Sequence, residues 1–148
     1  MRLLIILLFF LSSMLLNAKG NVELYDSYAL FKEAVKMGDY ELLTDYLTVE
    51  NTKFLKNNGG VGNFNEVYPF LLSLPFSIEK EINSYQLIKG YKGCLTINGL
   101  DESAEPTAIN IEYKKENSLW KLDYIHVEYL SSKDEFSKKA ICPQRYDS

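Results

Sequence analysis

The chain has 148 residues, 16 Lys and Arg against 20 Asp and Glu, and a formal net charge of −4. That length supports one domain with a real core and not two. A mildly acidic balance without a basic block makes nucleic acid and anionic membranes poor partners, since both are held by clustered Lys and Arg.

The first residues, MRLLIILLFFLSSMLLNA, join one basic residue (Arg2) to an apolar run from Leu3 to Leu11, extended by Met14 to Leu16 and closed by the small residue Ala18. This is the pattern of a secretory signal peptide over residues 1–18, cleaved between Ala18 and Lys19. The rival is an uncleaved anchor, but Ser12 and Ser13 break the run, which falls short of the roughly 20 apolar residues a bilayer span needs. No Cys follows the run, so a lipid anchor at that point is not expected. Taking 18 from 148 leaves a mature chain of 130 residues with 15 basic and 20 acidic groups, a net −5. The expected location is periplasmic or secreted, with no stable membrane anchor after cleavage.

From Val22 to Met37 apolar residues recur at three and four, with Leu24, Tyr28, Phe31 and Val35 forming one stripe of an amphipathic helix. Gly38 supplies a stop and Asp39 an N-cap, predicting a second helix from Tyr40 to about Leu47. Thr48 is placed to cap a third helical turn through Lys53 to Lys56. The Asn- and Gly-rich stretch Asn57 to Asn63 lacks the Gly-Lys-Ser/Thr of a phosphate loop and reads as a connector. A short helix begins near Pro69 and ends at Pro75.

Phe76 to Ile88 alternates and carries charge, which suits a strand that is at an edge or strongly bent. Gly90 and Gly93 bracket the start of a second strand, Tyr91 to Leu100, with Leu95 and Ile97 inward and Cys94, Thr96 and Asn98 outward. Two further alternating runs, Ala108 to Lys114 and Leu119 to Tyr129, flank the polar segment Lys115 to Ser118 as an antiparallel hairpin does. Simple alternation puts Ile109, Ile111 and Tyr113 on one face of the first run, and Trp120, Leu122, Tyr124 and His126 on one face of the second. Ser132 to Glu135 is a capping box, predicting a helix from Lys133 to about Ile141 and a loose tail over 143–148. Residues 19–142 then form a single domain. In an exported chain Cys94 and Cys142 are expected to form a disulfide, Cys142 reaching the outward Cys94 by folding back across the sheet.

Helices followed by a meander of about four curved antiparallel strands is an α+β class, with the helices packed on one face of the sheet and a short C-terminal helix. FKEAVKMGDYELLTDYLT (Phe31 to Thr48) and LWKLDYIHVEY (Leu119 to Tyr129) resemble small exported proteins of the nuclear-transport-factor-2-like superfamily, in which a helix, Gly-Asp, helix unit precedes a cone-shaped sheet and a late strand carries Trp-Lys-Leu/Ile-Asp. The resemblance implies a pocket between sheet and helices. That scaffold serves isomerases, dehydratases, binding subunits and interaction modules alike, so the fold does not choose among them.

The expected pocket lining is Ile109, Ile111, Tyr113, Trp120, Leu122, Tyr124 and His126. His126 is the only histidine, no spacing matches a His-based metal motif, and neither a metal nor another cofactor is expected. Beside Tyr124 and across from Tyr113, its imidazole is either a general acid or base or a hydrogen-bonded structural residue. Alternation sends Asp123 with Lys121 to an outward face shared by Asn110 and Glu112 of the neighbouring strand, where a solvated cross-strand pairing with Lys121 is the preferred reading; an Asp123 and His126 dyad would need a bulge between them. Tyr25, Tyr40, Tyr68, Tyr85, Tyr91 and Tyr129 fall where pattern does not demand full burial and offer a contact face. The leading expectation is a non-catalytic exported domain that engages a protein partner or small apolar ligand in the cell envelope, and an immunity or inhibitor protein fits its size, export and acidity. The alternatives are a small isomerase- or hydrolase-like enzyme using His126 with Tyr124 or Tyr113, and an assembly subunit pairing through the Phe76 to Ile88 edge.

Overall fold

The computed structural model describes residues 23–144. The predicted signal segment and the last residues of the tail lie outside that range. Helix α1, Glu23–Met37, buries Leu24, Tyr28, Phe31 and Ala34. Gly38 ends it at φ 68, a left-handed conformation that costs glycine nothing. Asp39 then accepts a hydrogen bond from the Leu42 amide at 3.0 Å and starts α2, Tyr40–Thr44. This helix stops three residues before the predicted end because Leu47 is wanted elsewhere: it forms a parallel bridge with Leu122. The Leu122 amide donates to the Tyr46 carbonyl at 2.7 Å, and the Thr48 amide donates to the Leu122 carbonyl at 3.1 Å. Thr48 caps α3, Val49–Asn57, a longer helix than the single turn its sequence suggests. Two short helices, α4 (Phe64–Val67) and α5 (Pro69–Ser73), complete the helical layer.

The sheet is a four-stranded antiparallel meander, β1 (Lys80–Lys89), β2 (Lys92–Leu100), β3 (Pro106–Glu116) and β4 (Leu119–Tyr129), in that spatial order. The α+β class is as the sequence indicates, with the helices on one face. Leu95, Ile97, Ile109, Ile111, Tyr113, Trp120 and Leu122 pack there in a single core with Leu24, Tyr28, Phe31, Leu43, Leu55 and Phe64. The β3–β4 loop is Asn117 and Ser118, both at positive φ (50 and 67), as a tight two-residue hairpin requires.

Three predicted features are altered. The first strand starts at Lys80 rather than Phe76, because Leu74–Phe76 forms a 3-10 turn around Pro75. The predicted helix from Lys133 to Ile141 is a single 3-10 turn, Lys133–Glu135, followed by irregular chain. Its capping pattern is present, but that segment is drawn out along the sheet by contacts described below, which a helix would not reach. Third, β4 does not alternate throughout. Tyr113 faces Leu122 while Glu112 faces Tyr124, so Asp123 is an extra residue, a β-bulge. Beyond it the faces exchange: Ile125 and Val127 pack against the core, and Tyr124 and His126 turn to the opposite side.

Candidate binding site on the outer sheet face

The seven residues expected to line one pocket are therefore divided by the bulge. Ile109, Ile111, Tyr113, Trp120 and Leu122, all at 8% exposure or less, are packing residues under the helices. Trp120 Nε1 donates to Glu23 Oε2 at 3.1 Å, pinning β4 to the start of α1. The Tyr113 hydroxyl is buried with no hydrogen-bond partner among the described residues, and burial, with Tyr28 nearby, pushes its pKa well up. Tyr28 is raised for the same first reason, with the charge of Glu81 adding to it. Tyr25 donates to Glu81 Oε2, and that bond, burial and the carboxylate charge together raise its pKa to about 12. These groups are neutral phenols in folded protein, Tyr25 as the donor to Glu81.

Tyr124 and His126 stand on the other face, so neither shares a hollow with Tyr113. His126 Nε2 lies 3.7 Å from Glu128 Oε1 and lines a cavity of about 250 Å³ with Asn110, Glu128, Ile141, Cys142, Pro143 and Gln144. Asp123 is not on a solvated face as alternation suggests. It is 6% exposed, with Oδ2 3.0 Å from Lys114 Nζ and Oδ1 accepting from Thr48 Oγ1 at 3.3 Å. Asn51 donates to the Asp123 carbonyl at 2.9 Å, so the bulge is fastened to the helical layer. Lys121 instead donates to the Asp45 carbonyl. The bulge that an Asp123 and His126 dyad would need is present, yet the carboxylate is engaged by Lys114 and Thr48.

What organises the outer face is a strap. Cys142 is bonded to Cys94 across 48 residues, Cα to Cα 5.1 Å, and draws residues 137–143 over the sheet. The Ile141 amide donates to Thr96 Oγ1 at 2.8 Å, and Asn98 Nδ2 donates to the Ser137 carbonyl at 2.8 Å. Thr96 in turn donates to Asn110 Oδ1 at 2.7 Å, and Asn98 also donates to Asn83 Oδ1 at 2.7 Å. Thr96 and Asn98 are fully buried on a face that would otherwise meet water. On the other side of Cys142 from His126 lies a second cavity, about 400 Å³, lined by Leu87, Lys89, Tyr91, Lys92, Cys94, Glu112 and Cys142.

Register puts four lysines in line beside it. Lys89 is opposite Lys92, Lys92 opposite Lys114, and Lys114 opposite Lys121, one on each strand, all on the face of Cys94. Three have partners: Lys114 with Asp123 and, at 3.6 Å, Glu50; Lys92 with Glu112 at 4.0 Å; and Lys121 with the Asp45 carbonyl. Lys89 makes no ion pair or hydrogen bond within the described residues. The row was missed by reading strands one at a time, although its signal is there: Lys89 and Lys92 flank the Gly90-Tyr91 turn, and Lys114 and Lys121 are equidistant from Asn117-Ser118.

Among the described residues no group of three or more His, Cys, Asp or Glu is placed to hold a metal ion, and no helix is long and apolar enough to cross a membrane. No protein-family model matches the chain, and no curated protein matches it.

Proposed function

We propose that this chain is an exported, non-catalytic binding domain on a nuclear-transport-factor-2-like scaffold, and that it engages its protein partner or ligand with the outer sheet face around the disulfide strap. The observation that carries the reading is the strap itself: Cys142 lies between two cavities on the outer face and lines both. The helix-side residues that would line a family-type pocket are consolidated into core, and the larger hollows of about 620 and 590 Å³ lie instead around the helical layer, away from the disulfide. A disulfide that holds an irregular segment over a sheet gives a rigid, preorganised surface, which lowers the entropic cost of association. Its presence also suits an oxidising compartment, in line with the apolar leader.

Native mass spectrometry of the oxidised chain purified from the envelope of its own host tests this. The expected spectrum contains a stoichiometric companion, protein or small molecule, and the companion is lost when Cys142→Ser releases the strap. A companion-free chain whose turnover of an ester or isomerase substrate disappears in His126→Ala, with the melting temperature unchanged, would overturn the reading in favour of an enzyme. The feature that keeps that second reading in play is the placement of His126 and Glu128 in the smaller cavity.

A further inference from the structure

We infer that the cavity beside the disulfide is a site for a small amphipathic monoanion, an apolar chain or ring bearing one carboxylate, with the apolar body against Leu87, Tyr91 and the disulfide and the acid group on Lys89 and Lys92. This rests on the binding-domain reading and names its ligand class.

Three observations converge. The cavity, about 400 Å³, is the size of small-molecule sites; Leu87, beside Cys94 on the neighbouring strand, and the disulfide to Cys142 give it an apolar floor, and Glu112 also lines it, 4.0 Å from Lys92. Tyr91, 66% exposed, lines the cavity and offers an aromatic face to an apolar ligand. Most telling is the lysine row. Like charges directly opposite across a sheet are destabilising, and here three such pairs run side by side in a chain whose balance is acidic. Asp123 offsets Lys114 at 3.0 Å and Glu112 offsets Lys92 at 4.0 Å, whereas Lys89, at the end of the row that reaches the cavity, has no counter-ion among the described residues. An ammonium pair over an apolar floor is complementary to a carboxylate with an apolar tail. Folding costs tolerated at one spot mark function more often than stability.

Octanoate, octyltrimethylammonium and acetate, titrated into the oxidised full-length mature chain and followed by amide NMR, separate the body of the ligand from its charge. The expected result is saturable binding of octanoate alone, with shifts centred on Leu87, Tyr91, Cys94 and Glu112. Added salt weakens that binding. Lys89→Gln with Lys92→Gln weakens it about tenfold while the melting temperature does not fall, because a charge-assisted contact to the ligand is lost and a like-charge pair is relieved. No saturable shift with octanoate, equal shifts with the cationic amphiphile, or undiminished binding by the double variant would overturn the proposal. So would binding to anionic phospholipid vesicles without any response to octanoate, which would make the row a membrane contact. Failure here with a companion still present in the native mass spectrum removes the anion site and leaves the binding-domain reading standing.

Discussion

Asp123 shows how one residue redirects a strand. Its extra position in β4 exchanges the faces beyond it, and its carboxylate is held by Lys114 and Thr48 with almost no exposure. Removing it takes from Lys114 its 3.0 Å ion pair and from Thr48 its acceptor. Asp123→Ala should therefore cost about 2–3 kcal/mol in urea denaturation, less than a fully buried pair because Lys114 is 25% exposed. The tyrosines give a second test at this scale. Tyr25 has a folded-state pKa near 12 against 10.0 in the unfolded chain, and Tyr28 and Tyr113 are raised in the same direction. Folding thus favours the neutral phenols: their contribution is complete below about pH 10 and is lost as pH rises toward and past 12. Phenolate absorbance should show these three rings titrating late and together with loss of circular dichroism.

At the scale of elements, the sequence carried the order of helices and strands, the Gly38 stop, the Asp39 and Thr48 caps, the hairpin turn and the inward set of β2, because each is dictated by neighbours in the chain. Two kinds of information were not local. The bulge at Asp123 arises from anchoring to Thr48 and Asn51, some 70 residues away, so period-two reading carried Tyr124 and His126 to the wrong side. The end of the chain reads as helix by its capping box and is pulled straight by Cys94, Thr96 and Asn98. The candidate site was legible only in part: the cysteine pair could be read, whereas the lysine row exists only once three registers are set. A second bulge, at Ile82 in β1, sits against Gly99. A Cβ at Gly99 would lie 2.3 Å from Ile78 Cγ2 and 2.7 Å from the Lys80 carbonyl oxygen. Since backbone cannot yield as a side-chain tip can, Gly99→Ala should destabilise by at least about 2–3 kcal/mol, with the loss read as a lower denaturation midpoint.

For the whole molecule, the two faces of the sheet have different tasks. One is consumed by the helices, through aromatic and aliphatic packing that leaves its tyrosyl hydroxyls neutral. The other is a polar surface wired by Thr96, Asn98 and Asn110 and stapled under residues 137–143, with a cavity on either side of Cys142.

The short parallel bridge at Leu47 has a consequence for how the domain opens. Because the amides of Thr48 and Leu122 each bond across the junction between the helical layer and β4, neither half can breathe without breaking the other's hydrogen bonds. Deuterium should therefore enter those two positions only through global unfolding, at the same slow rate as the centre of β3, and not through a separable loosening of the helices.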